Sequence, residues 1–355
     1  MKMNGFGIDK PSRNFMQKKT NKAFTLIELL VVIAIIALLL AILLPSLRKV
    51  KAHAETVVCN AHLKPCSMGL SIYATEYQDW IPGPNTSGYN LSMSGSYVET
   101  PTSPVCNIDW ISPILGDSLG LGSERIPKIA QILNSAMKCA GNKKKNDYIY
   151  SGGSHLDSFP GTGIRAKDVA YGSYSSPLAF HLVQNGTTRF PAAQNGHPLN
   201  ASWGYSESLP YFKIHRSYVP KVTYVGSPSR KVFAMGGARF YTASTGEVSF
   251  NDALAQDSGG NWMLAGPYFA NAGDPMRVSW TDHSDITTYQ LEEATEELAF
   301  RHNKGINTVF FDGHSETLKI KDAFNARLYL PKKTYITSYG ATMLQDPHLG
   351  EGYID

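Results

Sequence analysis

The chain has 355 residues, 17% of them charged, and a formal net charge of +4. Six basic residues against one acid, Asp9, fall within Met1–Ala23, so the remainder carries a formal charge of about −1. A basic balance confined to a leading segment excludes a nucleic-acid binder, which needs its cations on the folded surface.

Phe24–Leu44 is an almost unbroken apolar run with a single carboxylate, Glu28. About 20 residues at ~1.5 Å rise cover the ~30 Å of a bilayer core. The polar segment precedes the span and no A-x-A cleavage site follows it, unlike an ordinary secretory signal. The excess of Lys and Arg in the leader predicts a cytoplasmic N-terminus and an outward-facing C-terminal bulk. A carboxylate inside such a helix costs roughly 2.5–3.5 kcal/mol and requires a partner. If the chain is cut between Ala23 and Phe24, the new amine lies one helical turn before Glu28 and meets that need, as does the amine of a neighbouring subunit.

The basic leader, the FTLIE segment and the long apolar run resemble the class III signal of type IV prepilins and type II secretion pseudopilins. The resemblance implies that a prepilin peptidase removes Met1–Ala23 and N-methylates Phe24. It also implies that Glu28 registers the subunit against other pilin-like subunits. The family prefers Gly before the cut, whereas this chain has Ala23. Pro45 is the twenty-second residue counted from Phe24, where pilin-like helices often carry a kinking proline.

Residues 45–80 continue the helix in amphipathic form. Cys59, Leu63, Cys66, Leu70, Tyr73 and Tyr77 recur at spacings of three and four, one stripe that packs on a globular head. Pro65 predicts a kink or short break near Ala61–Lys64, and the helix is expected to end around Asp79–Pro82. Cys59 and Cys66 sit about 10 Å apart along a helix, too far for a disulfide. Cys106 and Cys139 stand in loop-like contexts, and a Cys106–Cys139 bridge is favoured among the three pairings four cysteines allow. No Cys or His spacing is typical of zinc.

Residues 81–355 read as an exported head, rich in Gly, Ser, Asn, Pro and Tyr. Helical periodicity covers Ile126–Ala140 and Thr288–Phe300. Strands are expected at Lys221–Val225, Lys231–Met235, Arg239–Tyr241 and Glu247–Phe250, and Tyr148–Asn200 reads as insertion-like loop. The segment 307–320 is a hairpin: Asn307–Phe311, a type I′ turn at Asp312-Gly313, and a returning strand from His314. The fold class is α+β, a long N-terminal helix packed on a mainly antiparallel, β-rich, pilin-like head.

His302 precedes Asp312-Gly313 by nine intervening residues. This H-x9-DG spacing is similar to the C-terminal motif of a group of pilin-like proteins with an N-terminal methylation signal, sometimes called the DUF1559 group. The post-membrane block VVCNAHLKPCSMGLSIYATEYQDWIP and the strand PSRKVFAMG resemble the same group, which carries no known biochemical activity. His302, Asp312 and Gly313 are assigned structural roles: the histidine pins the hairpin entry, and Asp312 suits the left-handed turn. Some pseudopilins hold calcium through oxygen ligands; Asp252, Asp257 and Thr281–Asp285 offer oxygens but lack EF-hand spacing, so no cofactor is expected. There is no GxSxG, P-loop or HExxH motif, so no enzyme is expected. A structural pseudopilin or minor-pilin-like subunit of a type II secretion-like assembly follows, single-pass in the bacterial inner membrane. The alternative is a membrane-tethered glycan-binding protein or hydrolase that borrows the signal for delivery.

Overall fold

A computed structural model describes residues 25–83, 97–105, 109–181 except 152, 153 and 160, 212–237 except 216, and 300–337 except 324. Shorter described pieces lie at 88, 91, 183–184, 204–205, 241–242, 247–251, 269–270 and 352–354. The chain forms two compact units, Met1–Val50 and Lys51–Asp355.

Helix α1 spans Leu26–Glu76. In the first unit, every described residue of α1 is exposed. In the second unit, Cys59, Leu63, Cys66, Leu70 and Tyr73 are all 4% exposed or less, so the expected stripe is the buried one. Tyr77 is half-buried and stacks on Tyr73 at 4.4 Å between ring centroids. The break expected at Pro65 does not occur: α1 runs through it. Pro65 and Ala61 both lie on the exposed face, so the N–H that proline lacks is missing on the solvent side of the helix and not in the core. The helix ends three residues earlier than Asp79, because Gln78 and Asp79 adopt φ of 52° and 74°. The Asp79 N–H then returns to the Ala74 carbonyl at 2.7 Å, an αL-type termination.

Strands β1 (Tyr174–Pro177), β2 (Val232–Gly236), β3 (Phe269–Ala270), β4 (Gly305–Phe310) and β5 (Ser315–Lys319) form the central sheet in the order β3-β1-β2-β4-β5. All its pairings are antiparallel except β3 with β1. Strands β1, β2 and β4 are buried throughout, because the sheet has a core on each face. Phe233, Ala234 and Val309 join the core that contains the α1 stripe. Val232, Met235, Ile306 and Phe310 join a smaller one with Phe300 and Tyr329. Asn307 Nδ2 donates to the Thr56 carbonyl (3.0 Å), and the Tyr174 hydroxyl donates to the Cys59 carbonyl (3.2 Å), fixing α1 on the sheet. A second sheet takes Ser154–Leu156, Tyr148–Ser151, Glu247–Asn251 and Tyr241–Thr242 in that order.

The class is α+β, with a long apolar-to-amphipathic helix and mainly antiparallel sheets, as the sequence predicts. Two local expectations are corrected. Val222–Tyr224 is a 3-10 turn rather than a strand. Asp79 captures it: the Val222 N–H donates to its carbonyl, and the Thr223 N–H and hydroxyl donate to its carboxylate. Part of the stretch read as insertion-like loop is the buried strand β1. The helix expected from Ile126 is present as α-helix α2 (Arg125–Gln131) followed by a π-helical turn, Ile132–Ala136. The helix expected at Thr288–Phe300 lies outside the described residues except for Phe300.

Candidate functional site

The start of α1 carries the first site. Ala23 and Phe24 lie outside the described residues, but Thr25 and Glu28 are placed. The Thr25 N–H and hydroxyl donate to Glu28 Oε2 at 2.9 and 2.8 Å, and the Glu28 N–H donates to Thr25 Oγ1 at 3.3 Å. This is a reciprocal capping box, T-x-x-E, in which N-cap and N3 residues satisfy each other. The carboxylate therefore has a partner within its own turn. The sequence contained this signal in FTLIE, read above only as part of the export motif. Beyond it, Leu26 is 78% and Ile42 68% exposed, and the most apolar 18-residue window of α1 has mean hydropathy 3.3. Among the described residues this is the one helix long and apolar enough to cross a membrane.

The second site lies in the head, at the hairpin. The His302 N–H donates to the Gly305 carbonyl (3.2 Å) and the Gly305 N–H returns to the His302 carbonyl (3.0 Å). Asn303 and Lys304 between them have φ of 53° and 58°. The backbone of His302 thus closes the entry to β4 with the two positive-φ residues of a type I′ turn. The turn at Asp312-Gly313 is of another kind. Only Gly313 has positive φ (91°), its N–H reaches the Phe310 carbonyl (3.0 Å), and the Phe310 N–H reaches the His314 carbonyl (2.9 Å). That is a three-residue loop with glycine in the left-handed position, so the expected type I′ geometry is corrected there. Asp312 Oδ1 accepts from the His314 N–H (3.1 Å) and meets its Nδ1 at 2.5 Å. His314 also stacks on Phe310 at 4.1 Å, so this aspartate organises the turn.

The His302 side chain does not turn toward Asp312. It is 4% exposed, and its Nε2 lies 3.2 Å from Cys139 Sγ. Cys59, Cys139 and His302 place their donor atoms within 4.8 Å of one another. Each residue arrives from a different element. Cys59 comes from α1, where its sulfur accepts the Ala140 N–H at 3.2 Å. Cys139 follows the π-helical turn, and His302 precedes β4. The closeness of Cys59, with His302 and the nearby Arg301 charge, holds the Cys139 thiol below its ordinary range against the opposing effect of burial. The neighbouring Cys139 and burial push the Cys59 thiol up. His302 Nδ1 is buried with no hydrogen-bond partner.

Cys139 and Cys59 are free thiols here. Cys106, the partner favoured for Cys139 from the sequence, lies outside the described residues. Two thiols and an imidazole are soft donors suited to zinc, yet they number one fewer than the closed tetrahedral shell of a structural site. Asp252, Asp257 and Thr281–Asp285, the oxygen donors considered for calcium, lie outside the described residues.

Ser176 Oγ lies 2.7 Å from His181 Nε2, a spacing shared with nucleophile–base pairs. Both residues are fully buried. His181 Nδ1 bonds the Pro82 carbonyl (2.5 Å) and Ser176 Oγ bonds the Phe233 carbonyl (2.5 Å). Burial pushes the imidazole down to about 4, against the pull of the Pro82 carbonyl. The pair links β1, β2 and the segment after α1 through backbone carbonyls.

Residues 18–44 match the family described as the prokaryotic N-terminal methylation motif. No curated protein and no solved structure matches the chain. The motif carries a prepilin-like signal and marks a type IV pilin-like or pseudopilin-like, membrane-anchored, exported protein.

Proposed function

We propose that the chain is a non-catalytic structural subunit, a pseudopilin or minor pilin of a type II secretion-like assembly. Prepilin peptidase cuts between Ala23 and Phe24 and methylates Phe24. The apolar part of α1 then anchors the protein in the inner membrane, leader side cytoplasmic, head outward. The observation that carries this reading is the fully exposed apolar span within the methylation motif, whose one carboxylate is pre-satisfied by Thr25. A surface of this kind is covered either by lipid or by like helices. The H-x9-DG spacing and the post-membrane block support assigning the head to the DUF1559-like pilin group, with His302 as the hairpin's entry pin.

Intact-mass measurement of the membrane-extracted protein tests the processing step. Loss of Met1–Ala23 with one added methyl is expected; a full-length chain in cells with active prepilin peptidase rejects it. For assembly, Glu28→Ala is expected to insert normally but to crosslink poorly to pilin-like neighbours. Crosslinking equal to the unaltered protein would remove Glu28 from any registry role.

A further inference from the structure

We propose that Cys59 and Cys139 form a disulfide in the exported head, stapling α1 to the segment that follows the π-helical turn. Their sulfurs approach within 4.8 Å, a gap within reach of side-chain rotation toward the ~2.05 Å of a disulfide. The remaining described cysteine has no such neighbour in this cluster: Cys66 bonds the His62 carbonyl one turn away on α1. The inference rests on the proposed export of the head, which places it in a compartment where thiols oxidise.

Both sulfurs are fully buried, so the exchange precedes burial and accompanies folding after export. One cysteine, as thiolate, attacks a sulfur of the disulfide carried by an exported thiol–disulfide oxidoreductase and expels that donor's other sulfur. The second cysteine loses its proton and attacks the first, forming the Sγ–Sγ bond and releasing the donor as a dithiol. Two electrons pass to the donor disulfide, and the two cysteine protons end on its thiols. In the closed head, the Ala140 N–H and His302 Nε2 remain as polar neighbours of the bridge.

The staple has a mechanical meaning. Without it, only packing and hydrogen bonds such as those from Asn307 and Tyr174 hold the buried stripe of α1 to the sheet. With it, the buried stripe is tied to the head covalently at Cys59 as well as through the backbone that leaves α1 at Glu76.

Full-length protein extracted in detergent is denatured, alkylated before and after reduction, and mapped by mass spectrometry. Cys59 and Cys139 are expected to resist alkylation until reduced and to appear as one crosslinked peptide pair, two hydrogens lighter than the thiols. The melting temperature of the head is expected to fall on reduction in the unaltered protein and to be insensitive to reductant in the Cys59→Ser/Cys139→Ser double variant. Both thiols alkylating freely in unreduced, denatured protein overturns the proposal. So does blockage lifted by a chelator alone, which identifies a metal site. Protease accessibility of the head on intact spheroplasts is measured in parallel, so that a failure of export is distinguished from a failure of bridging.

Discussion

Two stretches of one helix follow different rules. Between Leu29 and Leu44, α1 is apolar on every side and exposed on every side. Between Cys59 and Tyr73 it has one buried stripe and an exposed remainder that mixes polar residues with Met68 and Ile72. In the first stretch position around the helix carries no information, because any rotation offers the same surface. In the second, rotation is fixed by contacts with named partners, and a single residue on the wrong face disrupts them. Gly69 marks how closely: a Cβ there would stand 2.6 Å from the Ile114 carbonyl oxygen.

The largest contrast comes from one leucine in each stretch. Leu63→Ala, at a fully buried position, is expected to lower the unfolding free energy of the head by about 2–5 kcal/mol. Leu39→Ala, exposed in the span, is expected to change it by less than about 0.5 kcal/mol. Denaturant unfolding of the detergent-solubilised chain, followed by Trp fluorescence, measures both; equal losses would erase the distinction.

Charge gives the next test. Lys231 is 3% exposed, and its ammonium donates to the carbonyls of Arg327 (2.7 Å) and Leu330 (2.8 Å). Burial, with the nearby Arg327 charge, pushes its pKa down to about 8 from the usual 10.5. The unfolded chain then holds this proton up to about 10.5, while the folded head releases it near 8. Between those values the unfolded state binds more protons, so raising the pH favours the folded state, by up to about 3 kcal/mol. Lys231→Met is expected to abolish that rise in stability between pH 8 and 10.5. A rise surviving in the variant would assign it to another group.

The smallest effect belongs to the cap. Thr25→Ala is expected to cost about 1 kcal/mol at the start of α1, seen as faster amide exchange over its first turn in micelles. The exchange of residues 59–74 should be unaltered.

The span and the stripe were legible because each is a pattern within one segment. The capping box was equally local, yet it was hidden inside a segment already given a different meaning. Pro65 was misjudged because sequence marks the missing N–H but not the solvated face that makes its absence cheap. Val222–Tyr224 has strand-like residues, and only Asp79, distant in sequence, bends them into a turn. Cys59 was placed correctly on the buried stripe. Its meeting with Cys139 and His302 joins three elements far apart in the chain, and no spacing announces that.

The cap at Thr25 has one more consequence. Both donors that hold the Glu28 carboxylate belong to Thr25 itself, the second residue after the expected cut. Hydrolysis of the bond between Ala23 and Phe24 leaves them intact, because the Thr25 N–H belongs to the next peptide bond. If the chain is cut as proposed, the acid keeps this pair of donors, and a new amine would add to the cap and not replace it.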